Sequence, residues 1–179
     1  MKKLLLTALI ALTLFGCSQA EDLVKEQFTP EYEKMATASD ILEEILIHIA
    51  DHDPKLSFDD GNLVDTELGI PRYEIVSLTE IDHFSPDAIA EGYVVSPVVE
   101  IDNPHLLIVA KANDKASASD LNDSMKKVLS DQATQFHGKS MSQIHLVNMN
   151  QIVRQGDYLI YATWEDADEL VRVFERHVR

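Results

Sequence analysis

The sequence predicts an α+β fold: an N-terminal helix followed by two ββα units that form a four-stranded, mainly antiparallel sheet with helices packed on one face. Three observations lead there. Apolar residues recur at helical spacing from Ile41 to Ile49; two β-branched and aromatic hairpin segments follow; and each hairpin runs into a stretch of three-and-four spacing. The order strand, turn, strand, helix therefore occurs over 93–136 and again over 146–178. At 179 residues, 45% hydrophobic and 26% charged, the chain has enough apolar material for one packed core and resembles neither a disordered nor a polytopic membrane chain.

Taken in order, Ile41, Leu42, Ile45, Leu46 and Ile49 mark one face of an amphipathic helix that starts near Ser39 and ends near Asp53-Pro54, where proline disfavours helical geometry in the residue before it. Thr29-Pro30-Glu31 offers an earlier start, with Pro at the first helical position. Residues 54–71 carry the turn signals Asp60-Gly61-Asn62 and Gly69-Ile70-Pro71 around little periodic structure, and 72–78 can form a strand. Tyr93 to Ile101 and His105 to Ala112 flank Asp102-Asn103-Pro104 as a hairpin, whose first strand Pro97 assigns to an edge or to a bulge. Ser117 or Ser119 can cap a helix bearing Leu121, Met125, Val128, Leu129 and Phe136. A looser connection over 138–144 leads to strands at 146–154 and 158–164 around Gln155-Gly156-Asp157. Thr163 and Asp166 then precede a closing helix on Ala167, Leu170, Val171, Phe174 and Val178, with Arg172, Arg176 and His177 near its negative end. Leu107-Ile108-Val109-Ala110 aligns with Leu159-Ile160-Tyr161-Ala162 as a weak internal repeat.

With 15 Lys and Arg against 31 Asp and Glu, the formal charge is −16, so the basic footprint that a phosphate backbone demands is absent and nucleic acid is not expected as a partner. The N-terminus reads as an address. Met1-Lys2-Lys3 is a positive n-region, and Leu4 to Phe15 is an apolar run interrupted only by Thr7 and Thr13, too short for the ~20 residues of a membrane span. Leu14-Phe15-Gly16-Cys17 resembles the lipobox of bacterial lipoproteins, in which the cysteine receives a diacylglyceryl thioether before cleavage. That resemblance implies a signal peptide over 1–16, a lipidated Cys17 opening a polar tether over 17–36, and a single α+β domain over 37–179. Cys17 is the sole cysteine, so a mature chain exported to an oxidising compartment has no intramolecular disulfide. Two acyl chains suffice for durable anchoring where one is marginal. Cleavage removes Lys2 and Lys3 and no acid, taking the formal charge from −16 to −18, so the body is repelled by anionic lipid and stands off on its tether. Ser18 in place of aspartate implies the outer membrane in a Gram-negative cell, and in a Gram-positive cell the anchor implies the outer face of the membrane.

Over about residues 38–178 the chain also resembles an uncharacterised bacterial lipoprotein family, a domain of unknown function found mainly in Gram-positive bacteria. The segments ILEEIL, YVVSPVV, HLLIVAKAND and GDYLIYATWEDADELVRVFE carry the resemblance; Val98-Val99 stand where members often have methionines. It implies fold and location and transfers no site residues.

The candidate chemistry is sparse. His48 and His52, four apart with Asp51 and Asp53 beside them, can reach one metal ion, although Ile49 replaces the Glu that follows the first His in zinc hydrolases. On the helical wheel His52 lies about 50° and His48 about 90° from the apolar centre, as boundary side chains do. The metal candidates are thus His48, His52 and Asp51. Asp59, Asp60, Asp65 and Glu67 form an acidic segment without EF-hand spacing, as a solvated loop would. No nucleophile motif or glycine-rich phosphate loop occurs. Tyr93, Tyr158, Tyr161 and Trp164 on the strands are candidates for a binding face, or else core. The expected role is a non-enzymatic, membrane-tethered binding or interaction module of the cell envelope, with no cofactor beyond the diacylglycerol on Cys17 and an envelope protein as a possible partner; the alternative is a metal-binding lipoprotein using His48 and His52.

Overall fold

A computed structural model describes residues 36–98 and 102–178. The expected leader, Cys17, nearly all of the tether and the alternative helix start at Thr29 lie outside the described residues. The order is α1 (Ala38–His52), β1 (Leu56–Asp59), β2 (Asn62–Asp65), β3 (Tyr73–Ser77), 3-10 turns at Leu78–Glu80 and Pro86–Ala88, β4 (Ile89–Pro97), β5 (Leu106–Ala112), α2 (Lys115–Gln135), α3 (Met141–Asn148), β6 (Gln151–Gln155), β7 (Tyr158–Thr163) and α4 (Ala167–His177). The fold is mixed α and β, with strand order β3-β4-β5-β7-β6, all antiparallel, and a separate β1-β2 hairpin.

The sheet thus has five strands instead of four, because 73–77 pairs with β4 along its whole length. That pairing also removes β4 from the edge. Pro97, which cannot donate to a ladder, closes β4 as its last residue, and the bulge lies at the other end, between Ile89 and Glu91. Gly92 in β4 is required by a close approach: a Cβ there would stand 2.9 Å from Cδ2 and 3.0 Å from Cβ of the fully buried Leu78. The 60–61 turn signal becomes the β1-β2 hairpin, with positive φ at Asp60 and Gly61 as a two-residue connection needs.

The helices lie on both faces of the sheet, not on one. Leu107 and Val109 of β5 and Tyr158, Ile160 and Ala162 of β7 face a core shared with α1, α4 and the β1-β2 hairpin. Ile108, Ala110 and Ala112 with Leu159 and Tyr161 face a second core, under Ala118, Leu121 and Met125 of α2. Strands buried on both sides read as unbroken apolar runs, which is what LLIVA and YLIYA are. The same parity dissolves the internal repeat: Leu107 aligns with Leu159, yet the two point to opposite faces, and the helices that follow go to opposite sides.

Two boundaries moved for local reasons. The expected strand over 146–154 is shortened to β6, because Ser140 and Gln143 form a reciprocal capping box that starts α3 inside the supposed loose connection. Asp114, whose carboxylate accepts the Ser117 N–H at 2.8 Å, caps α2 in place of Ser117 or Ser119. The first helix is as its spacing foretold: Ile41, Leu42, Ile45, Leu46 and Ile49 are all buried, and Asp53 caps its end. Its start is fastened by a Thr37–Asp40 capping box and by Glu91 of β4, whose carboxylate accepts the Ala38 and Ser39 N–H groups at 2.9 and 3.2 Å. No helix among the described residues is long and apolar enough to cross a membrane.

Candidate functional site

At one end of the sheet, on the α1 and α4 side, three rings form a row. Tyr73 opens β3 opposite Pro97, and continuing the β4-β5 and β5-β7 registers sets Pro97 beside His105 and His105 beside Trp164. The short proline lets Tyr73 reach over it. Its hydroxyl lies 2.6 Å from His105 Nδ1, and His105 stacks on Trp164 at 4.2 Å and 17° while Tyr73 lies 5.0 Å from the indole. The Glu165 carboxylate oxygens are 2.9 and 2.8 Å from His105 Nε2. An ionised carboxylate only accepts, so in the neutral ring Nε2 donates to Glu165 and Nδ1 accepts the phenol O–H. His105 has both nitrogens engaged and acts as a bracket between the buried Tyr73 and the largely exposed Glu165. The bond from His105 holds the Glu165 carboxyl below its ordinary value.

The last turn of α1 stands over this row. The His48 and His52 rings lie 4.1 Å apart at 31°, and His52 Nδ1–H donates to the His48 carbonyl at 2.7 Å. His48 Nε2 is shut off from solvent and has no hydrogen-bond partner among the described residues. Such an orphaned group costs about 1–3 kcal/mol. From the other side come Glu165 and Asp166, which precede α4; Asp166 occupies the N-cap position but its side chain makes no capping bond. Together His48, His52, Asp53, Trp164, Glu165 and Asp166 border a cleft of about 200 Å³ floored by Ile49 and Leu170. Among the described residues, no Lys or Arg lines it. A wider depression of about 550 Å³, bordered by Arg72, Asn103, Gln143 and Met149, meets it at His105 and Glu165.

Of the predicted site residues, His48, His52 and Trp164 are brought to this cleft. Asp51 is exposed and does not line it. Among the described residues no three His, Cys, Asp or Glu side chains converge as a metal-ligand group. The four aromatics do not share a face. Tyr158 and Tyr161 are buried on opposite sides of the sheet; the Tyr158 hydroxyl donates to the Ala36 carbonyl at 2.8 Å and the half-buried Tyr93 donates to Glu91, both at the start of the domain. Burial pushes the Tyr161 phenol up to about 12. Asp65 of the acidic segment is occupied locally, accepting the Glu67 and Leu68 N–H groups at 2.9 Å. Sequence does not single out Tyr73, His105 and Glu165, and marks Asp166 only at the start of the closing helix; no spacing links Tyr73, His105 and Glu165, since a cross-strand row depends on register.

His48 is displaced below its ordinary value of 6.5, first by burial and then by the charge of His52, with Arg176 adding to the effect and Glu169 and Asp166 opposing it. As pH falls from 6.5 the unfolded chain takes up this proton before the folded one, so stability is lost progressively until the folded ring also protonates, and nothing is lost above 6.5. Thermal melts at pH 7.5 and 5.0 should therefore show a larger drop for the wild type than for His48→Leu. Equal drops would mean that His48 is not the group responsible.

No protein-family model matches the sequence, and neither a curated protein nor a solved structure matches the chain.

Proposed function

We propose that the chain is a lipid-anchored extracytoplasmic binding module, non-enzymatic, that uses the cleft between α1 and α4 to hold a small ligand or a side chain of an envelope protein. The observation that carries this reading is the cleft itself: an apolar floor and a bracketed tryptophan, rimmed by imidazoles and carboxylates, the composition of sites that bind by a few oriented polar groups. Within the domain, the cleft lies at the C-terminal end of the 15-residue α1. The lipidated Cys17 rests on the Lys2-Lys3, apolar run and Gly16-Cys17 order in the sequence. Mass spectrometry of the protein from its native host should find an N-terminal Cys17 carrying a diacylglyceryl thioether. A free thiol with residues 1–16 retained would sink the anchored reading.

A second reading, a metal-binding lipoprotein, is favoured by one detail. The His52 Nδ1–H bond to the His48 carbonyl selects the tautomer whose Nε2 lone pair is free to ligate. Against it, a structural zinc takes four ligands, and the sequence spaces only two.

A further inference from the structure

We propose that the cleft takes a small organic cation, an alkylammonium group the size of a lysine side chain, its charge facing Asp53, Glu165 and Asp166 and its methylenes lying on Ile49, Leu170 and Trp164. This rests on the cleft being the binding site and adds the chemistry of what enters it.

Size, charge and local bonding converge on that class. A volume of about 200 Å³ is below the ~300–1,000 Å³ of pockets for drug-sized ligands and suits a single side chain or a short amine. Three acidic residues border it and, among the described residues, no Lys or Arg does, Arg176, which acts on His48, lying outside the lining, within a chain of net charge −16 whose field draws cations toward a concave, low-dielectric wall. His48, held neutral by burial near pH 7, does not offset them. Asp166 carries the side chain that ordinarily caps a helix start, yet makes no capping bond and lines the cleft. Glu165 is fixed through His105 to Tyr73 while its side chain stays 62% exposed, so a charged ligand meets a carboxylate already oriented. A bare acidic surface would have neither the apolar floor nor an imidazole kept there at the cost of an unpartnered nitrogen. A metal ion fits less well, because among the described residues no three His, Cys, Asp or Glu side chains converge as a ligand group. The same ammonium could come from a free amine or from a lysine of a polypeptide.

Trp164 is the sole tryptophan and borders the cleft, so its fluorescence reads occupancy directly. The full chain in detergent would be titrated with 1-butylammonium chloride, with Gly-Lys-Gly and Gly-Ala-Gly, and with sodium chloride, sodium butyrate, butanol and zinc chloride for comparison. The expected result is a saturable change with butylammonium beyond that of sodium chloride. Asp166→Asn should weaken it about fivefold or more, the effect of removing one unit charge a few ångströms away in water, with the melting temperature unchanged. Should Asp166→Asn fail to fold, Asp53→Asn serves in its place. Tighter binding of Gly-Lys-Gly than of butylammonium, with Gly-Ala-Gly inert, assigns the group to a polypeptide; the reverse order assigns it to a free amine. The proposal is overturned if butylammonium does no more than sodium chloride. Saturation by butyrate or butanol in that case would keep the cleft as a binding site for another chemistry, saturation by zinc would move it to the metal reading, and silence from every probe would remove the cleft reading as well.

Discussion

Replacing Trp164 by alanine is expected to cost the domain about 3–5 kcal/mol, the range for removing a large aromatic from a packed core. The indole is only 6% exposed, and it is the surface on which His105 stacks and against which Tyr73 packs. Its removal would open a void beneath the cleft and free the imidazole that bonds both Tyr73 and Glu165. The loss therefore spans a core residue and the support of the site at once. Urea unfolding followed by far-UV circular dichroism measures it, and Trp164→Phe, which keeps a ring under His105, should cost clearly less. A loss below about 1 kcal/mol for Trp164→Ala would contradict the packing described.

Gln132→Leu should have a comparable effect on the opposite face. Gln132 is 7% exposed and ties three segments together: its Nε2 donates to the Pro104 carbonyl at 2.8 Å, and its Oε1 accepts the Tyr161 and Thr163 hydroxyls at 2.8 and 2.7 Å. Asn150 Nδ2 completes the knot on Thr163 Oγ1 at 2.9 Å. Leucine matches the volume but takes the shared partner from three buried groups; Thr163 keeps its bond from Asn150, so at about 1–3 kcal/mol for each group left unsatisfied the Pro104 carbonyl and the Tyr161 hydroxyl set an expected loss of about 2 kcal/mol or more. With its phenol pushed up to about 12, Tyr161 stays a donor at all ordinary pH values, so this loss should not vary between pH 6 and 9. The combined Gln132→Leu and Tyr161→Phe variant should be less destabilised than the sum of the two single changes, because the phenol that leucine strands is gone. Strict additivity in urea unfolding would show that the two side chains do not share a bond.

Both residues show why part of the molecule was legible from sequence and part was not. Gln132 falls within a helix that Leu121, Met125 and Val128 reveal by their spacing, but on a polar residue spacing gives no hint that it is buried. The unbroken apolar runs of β5 and β7 were readable as strands, yet their meaning, that both faces are covered, was missed, and with it the division of the helices between two sides. The capping box at Ser140 was a local signal for α3 that β-rich composition around Ile152 and Val153 obscured. At the site, His48, His52 and Trp164 were visible as unusual residues in their elements, whereas His105 looked like the first residue of an ordinary strand.

What could be read from the chain alone is therefore what depends on neighbours a few residues apart: the amphipathic α1, the apolar runs of β5 and β7, the glycine turn before Tyr158 and the acidic balance. Which strand lies beside which, that α2 and α4 take opposite faces, and that Tyr73 and Glu165 meet on His105 beside Trp164 came only with the folded molecule. The reason is physical: periodicity reports the face a side chain takes within its own element, while register and layer order arise from contacts between segments as far apart as residues 73, 105 and 165, which no local pattern encodes.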